Sequence, residues 1–303
     1  MDGTQRVALV AGATRGAGRA IAVELARAGF FVYATGRSSR EGRSEIDRPE
    51  TIEDTGDLIA KVGSGRALRV DHLDVDAVRA LVSTMAEEQG RLDVLVNDIF
   101  GGDRYAQWDT PLWRHDLDGG LRMLRMGIDT HIITSVVALP LMLTGERGLV
   151  IEVTDGTSAV NARVRPSVGF YYDFVKASID RLVRNLTFEL RDTAVSALGV
   201  TPGWLRSENM LEIFGVSEDN WRDALAKDEG FGISESPTYL ARGVAALASD
   251  KDASRFAGTV LTPFDLAETY GITDVDGSRP NCWGLFDDHG WGPNTAEVIA
   301  RYR

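Results

Sequence analysis

The chain is poor in several things, and each shortage excludes a class of function. One cysteine, Cys282, stands among 303 residues, so no internal disulfide can form and a reducing compartment, the cytoplasm by default, is expected. Positive charge is scarce: 33 Lys and Arg face 45 Asp and Glu, a formal net charge of −12. Nucleic-acid binding, which needs clustered cations to release counterions, is therefore not expected. No apolar run reaches the roughly 18 residues of a membrane span, and Met1 to Arg6 sets no basic segment ahead of a signal-length apolar stretch. Neither secretion nor membrane insertion is expected. The histidines, His72, His115, His131 and His289, show no metal-ligand spacing, so no metal is expected and His131 reads as a packed or solvent-facing side chain. Repeats and low-complexity runs are missing too.

What is present is alternation. Val7 to Ala11 is a short apolar run ending in a glycine cluster, a buried strand entering a turn. Ile21, Leu25 and Ala28 then recur at helical spacing until Gly29, and Phe30 to Ala34 reads as a second strand. Pro49 is placed to start a helix over Glu50 to Val62, Ala67 to Val70 gives a third strand, and Asp74 caps a helix through Val78, Leu81, Val82 and Met85. Further strands are expected at Leu92–Val96, Leu149–Val153 and Val195–Val200, with helices at Ile128–Leu143 and Phe174–Arg191. Such alternation implies right-handed crossovers and one α/β domain with a parallel sheet covered on both faces. Residues 1–276 are assigned to that domain. Residues 277–303, rich in Gly, Pro, Asp and aromatics near their start, read as a tail packed on the domain or on a neighbouring subunit.

The turn Gly12-Ala13-Thr14-Arg15-Gly16-Ala17-Gly18 lies between the first strand and first helix. Glycines there let backbone amides approach a pyrophosphate, whose charge a helix N-terminus stabilises. The spacing Gly-x-x-x-Gly-x-Gly resembles the short-chain dehydrogenase/reductase family. The resemblance extends through Asp71-His72, like that family's pair beside adenine; Val96-Asn97-Asp98, like its Asn-Asn-Ala-Gly stretch; Tyr172-x-x-x-Lys176; and Pro202-Gly203 with Ser207, like its Pro-Gly-x-x-x-Thr. It implies a Rossmann-type doubly wound parallel sheet, a nicotinamide cofactor, a small-molecule substrate and a homodimer or homotetramer. The second strand runs into Thr35-Gly36-Arg37-Ser38 without the acid that would hold ribose hydroxyls. Arg37 and Arg15 instead place two cations near a 2′-phosphate, and Ser38 adds a hydroxyl, so NADP(H) is expected.

In the family, Tyr exchanges the proton while Lys lowers its pKa and holds the nicotinamide ribose. Tyr172 and Lys176, four apart on one helical face, match. Two other positions do not: the family's Ser falls on Asp155, and its Asn on Gly127. A serine hydroxyl can donate to a carbonyl oxygen, whereas an ionised aspartate only accepts. The stretch from Asp155 to Tyr172 is also longer than usual, through Asn161 to Pro166. Three explanations stay open. Thr154, Thr157 or Ser158 supplies the hydroxyl; Asp155 itself does chemistry or anchors a cationic or hydroxylated substrate; or Asp155 is structural, pairing with Lys176 or capping the turn. The corresponding functions are carbonyl reduction or its reverse, an isomerisation, dehydration or cyclisation without net redox change, and NADP(H) sensing without turnover. Trp204, Trp283 and Trp291 are candidates for covering an apolar pocket.

Overall fold

The computed structural model describes residues 5–292 and 294–303. In chain order the elements are β1 (Val7–Ala11), α1 (Gly16–Arg27), β2 (Phe31–Gly36), α2 (Ile52–Ala60), β3 (Ser64–Arg69), α3 (Val75–Gln89), β4 (Val94–Asn97), α4 (Leu117–Leu124), α5 (Thr130–Met142), β5 (Gly148–Val153), α6 (Ser158–Asn161), α7 (Phe170–Leu190), β6 (Val195–Val200), α8 (Glu208–Phe214), α9 (Pro237–Ser249), β7 (Val260–Leu261), α10 (Pro263–Tyr270), α11 (Cys282–His289) and α12 (Ala296–Ile299). The strands form one parallel sheet in the order β3-β2-β1-β4-β5-β6-β7. The order reverses between β1 and β4, which opens a crevice at the carboxyl ends of the strands.

Alternation along the strands builds two cores. On β1, Ala8 and Val10 face a cluster with Ile21 and Leu25 of α1 and Leu240, Val244 and Leu247 of α9. Val7 and Leu9 face the other way, onto Val78, Leu81 and Met85 of α3, Ala138 and Met142 of α5, and Leu186 of α7. Both sheet faces are covered, as a parallel sheet requires.

Several elements differ from the sequence reading. α2 starts at Ile52, because Thr51 accepts from the Asp54 amide and Asp54 reciprocates, a capping box that overrides the Pro49 signal. The stretch expected at Ile128–Leu143 is longer: α4, a π-turn over Arg125–Asp129 and α5 run continuously as Leu117–Met142. By length and composition it could cross a membrane, a feature the sequence reading missed. Its inner residues, including Met123, Met126, Thr134, Ala138 and Met142, are buried in the protein. The short β7 carries too little apolar pattern to be read in advance.

Candidate functional site

The glycine turn is pinned to β2 by the amides of Gly12 and Ala13, which both donate to the Thr35 carbonyl at 3.0 and 2.8 Å. Gly12 has φ 94° and Gly16 φ 57°, and a Cβ on Gly12 would lie 2.2 Å from the Asp98 carbonyl oxygen. Only glycine fits there. Gly18 has a packing role, since its own Cβ would meet the Gly12 carbonyl oxygen at 2.4 Å.

A cleft of about 1120 Å³ opens in front of this turn and runs along the strand ends. Its wall includes Gly12, Thr14, Arg15, Gly16, Ala17, Arg37, Ser38, Asp71, His72, Asp155, Tyr172, Lys176, Pro202, Gly203 and Ser207. Two of the residues assigned to the cofactor lie behind that wall, Gly18 and Asn97. Asn97 is fully buried and its Nδ2 donates to Ser135 Oγ at 3.0 Å and Glu152 Oε1 at 2.8 Å, so its neighbour Asp98 takes the place in the cleft. Burial pushes the Asp98 carboxyl up to about 7.

At the nucleotide end, the α1 N-terminus already holds an anion. Glu208 Oε2 accepts from the Gly16 amide at 2.9 Å while Oε1 accepts from Arg19 Nη1 at 3.3 Å. The Arg15 side chain makes no hydrogen bond or ion pair with the described residues. Arg37 is weakly engaged, at 3.5 Å from Glu45 Oε2. Ser38 corrects the expectation of a free donor, because its hydroxyl donates to Ser44 Oγ at 2.9 Å and accepts from the Ser44 amide at 3.1 Å. A third cation in the wall, Arg48, pairs with Glu50 and Glu212; its position in the same polar loop as Arg37 was the signal available for it. The glycine cradle, the carboxylate it already holds and these cations fit the phosphates of a nicotinamide dinucleotide. His72 is neutral. Its Nδ1 lies 2.7 Å from Thr134 Oγ1, whose own hydrogen goes to the Thr130 carbonyl, and its Nε2 lies 2.8 Å from Thr35 Oγ1. Burial, reinforced by His131, lowers its pKa to about 3. His131 is packed, with Nδ1 at 2.5 Å from Glu152 Oε2 and Nε2 donating to the Ile99 carbonyl.

At the far end, the Tyr172 hydroxyl donates to Asp155 Oδ2 at 2.9 Å. Burial, with Asp155 adding to it, holds the Tyr172 pKa well above its ordinary value. Lys176 Nζ sits 3.8 Å above the Phe100 ring centroid and 5.4 Å from that of Tyr172; burial lowers its pKa, opposed by Asp155, Asp103 and Asp98. Gly127 lies in the π-turn, where a Cβ would meet Val175 at 2.5 Å and the Phe100 ring at 3.3 Å. Val175 first, and the Phe100 ring beside it, thus occupy the room that an asparagine side chain there would need.

The hydroxyls beside Asp155 are committed elsewhere or stand away from the cleft. Thr154 Oγ1 donates to the Lys176 carbonyl and Ser158 Oγ to Asp180, while Thr157, whose oxygen accepts from the Val160 amide, lies outside the cleft wall. None replaces the missing serine. Nor does Asp155 pair with Lys176: its ion-pair partner is Arg165, at 3.2 Å, which also binds Asp173 at 2.8 Å. The longer stretch after Asp155 is what delivers this arginine. From the tail, Trp283, Phe286 and Trp291 join the cleft wall, and Trp283 Nε1 donates to the Pro202 carbonyl at 2.8 Å. Among the described residues, no group of His, Cys, Asp and Glu side chains gathers to hold a metal.

A family profile described as short chain dehydrogenase matches residues 6–214. The chain belongs to that family. It is 33% identical over 289 residues to Mus musculus "Dehydrogenase/reductase SDR family member 1", across 91% of this chain and 84% of the relative. Among solved structures, a metagenomic short-chain oxidoreductase in complex with NADP superposes with TM-score 0.61 at 22% identity, covering 85% of this chain and 95% of the other. A variant of actinorhodin polyketide ketoreductase with NADPH gives TM-score 0.69 at 20% identity, with 85% and 95% coverage. At these identities the structural likeness is one of fold. Within this member of the family, Tyr172 and Lys176 share the cleft wall with Asp155 and Phe100, and Arg165 pairs with Asp155 behind them.

Proposed function

We propose that the protein is an NADP(H)-dependent oxidoreductase that moves a hydride between the cofactor and a ketone or secondary alcohol, with carbonyl reduction the favoured direction. The observation that carries this reading is the Tyr172 hydroxyl and Lys176 ammonium meeting in the cleft that begins at the anion-holding glycine turn. Arg15, Arg37 and Arg48 favour a 2′-phosphate by charge. The amides of the turn and α1 would hold the pyrophosphate, and Thr14, Ser207, Pro202 and Gly203 would border the cofactor, with Asp71 and His72 beside the adenine. When bound, the reduced nicotinamide supplies the hydride. Tyr172, kept protonated by its surroundings, gives its proton to the carbonyl oxygen, and Lys176 stabilises the phenolate left behind. The tail, residues 277–303, serves as a wall of the substrate end.

A second reading is favoured by one contact, the Tyr172 hydroxyl donating to Asp155. That pair could pass a proton to and from a substrate without net redox change. Titration with NADPH and NADH, followed by ketones monitored at the nicotinamide absorbance, separates the two. Tighter binding of NADPH with its oxidation is the expected result; binding with no oxidation by any ketone favours the second reading.

A further inference from the structure

We infer that Asp155 selects carbonyl substrates bearing a hydrogen-bond donor, a hydroxyl or ammonium group, on the carbon next to the carbonyl. This rests on the carbonyl-reduction reading above. The Asp155 side chain is 31% exposed and lies in the cleft wall. Its Oδ2 is taken by Tyr172 at 2.9 Å and Arg165 at 3.2 Å, whereas Oδ1 has no hydrogen-bond partner among the described residues.

A carboxylate oxygen can only accept. The oxygen of a plain ketone placed for the Tyr172 proton comes within reach of this carboxylate, so acceptor faces acceptor and the ground state is repelled. A vicinal hydroxyl or ammonium turns the same approach into a charge-assisted hydrogen bond. The short Tyr172 to Asp155 separation matches two groups on adjacent carbons. Beside Asp155 only the Lys176 ammonium is left to oppose the repulsion, because Arg165 Nη1 and Nε are spent on Asp155 and Asp173, its Nη2 is unpaired but buried, and the Thr154 and Ser158 hydroxyls donate elsewhere. The same cleft is lined by Trp204, Trp283, Phe286 and Trp291, which suit an apolar body. The substrate class is therefore an α-hydroxy or α-amino ketone with an apolar or aromatic body. In the reaction a hydride adds to the carbonyl carbon, the carbonyl oxygen takes the Tyr172 proton, and NADPH becomes NADP⁺. The product is a vicinal diol or amino alcohol.

The test compares 1-phenylethanone, 2-hydroxy-1-phenylethanone and 2-amino-1-phenylethanone on the wild type, Asp155→Ser and Asp155→Asn. It reads kcat/KM with NADPH and, separately, dissociation constants from tryptophan fluorescence of the NADPH-loaded protein. The wild type should favour a donor-bearing ketone over the plain one by about tenfold or more, and the hydroxy and amino arms show which donor is preferred. Asp155→Ser should erase or reverse that ratio while raising kcat/KM for the plain ketone. Equal kcat/KM for all three in the wild type, with NADPH oxidised, overturns the inference and keeps the redox reading. Binding of a donor-bearing ketone without oxidation of NADPH removes the redox reading and the inference with it. No measurable binding of any of the three overturns the inference.

Discussion

A single position, Asp155, changes what the surrounding residues must do. Its carboxylate raises the affinity of Tyr172 for its proton and needs Arg165 as counter-charge. The sequence alone singled out Asp155, because counting from the strand before it puts this residue where the resemblance leads one to expect serine. Arg165 was not singled out, since a ten-residue gap in sequence gives no sign that the chain folds back to close it. Tyr172→Phe is expected to lower kcat by about 10²-fold or more while NADPH affinity holds, measured by stopped-flow and titration. A buried acid elsewhere, Glu235, gives a stability prediction. Burial pushes the Glu235 carboxyl up to about 8, where it accepts from the Gly203 amide at 2.9 Å. The folded state thus holds this proton more tightly than the unfolded chain, whose glutamates titrate near about 4.3. Its stabilising contribution is full below that lower value and is lost as pH rises through about 8. Glu235→Gln should flatten the loss of stability between about pH 5 and about pH 8.5 by at least about 1 kcal/mol, read by denaturant titration at the two pH values.

Among the elements, the helix starts show which signals a sequence carries. Asp74 was readable as a cap and accepts from the Asp76 and Ala77 amides. Thr51 was overlooked because the proline before it looked like the stronger signal, yet its side chain satisfies an otherwise unpaired amide. α8 has a role that no local pattern could show. Glu208 at its start reaches the α1 N-terminus, and Glu212 reaches Arg48 across the cleft, so α8 bridges the turn and the polar loop that would meet the nucleotide. A bound pyrophosphate must compete with Glu208 for the Gly16 amide. Glu208→Gln should strengthen NADPH binding by about two- to fivefold, the scale of one charge at a helix terminus, measured by calorimetry. Unchanged or weaker binding would show that Glu208 and the nucleotide do not share that amide.

Over the whole molecule, the alternation of strands and helices made the sheet legible, because each burial pattern answers to a face of that sheet. The tail was read as packed on the domain or a neighbouring subunit, but its particular partners were hidden, since they lie some fifty to eighty positions earlier: Trp283 bonds Pro202, and Cys282, Leu285 and Ile299 form a cluster with Ile233. Deleting residues 282–303 should therefore lower the melting temperature by several degrees and raise KM for ketones, measured by calorimetry and steady-state kinetics. Apolar side chains also lie open on two helices, Ile132 and Val136 on α5 and Phe174 and Phe188 on α7. If subunits associate there, Val136→Glu should shift the mass seen by light scattering towards the monomer.

Cys282 sits beneath the loop at Pro202 and Gly203, its sulfur accepting from the Trp204 amide at 3.2 Å and its pKa raised by burial. No alkylating reagent can reach that sulfur while the tail is seated, so the rate of labelling counts how often the tail lifts. Because the chain has one thiol, every event recorded comes from this place. Comparing that rate with and without nucleotide would time the opening of the substrate chamber directly.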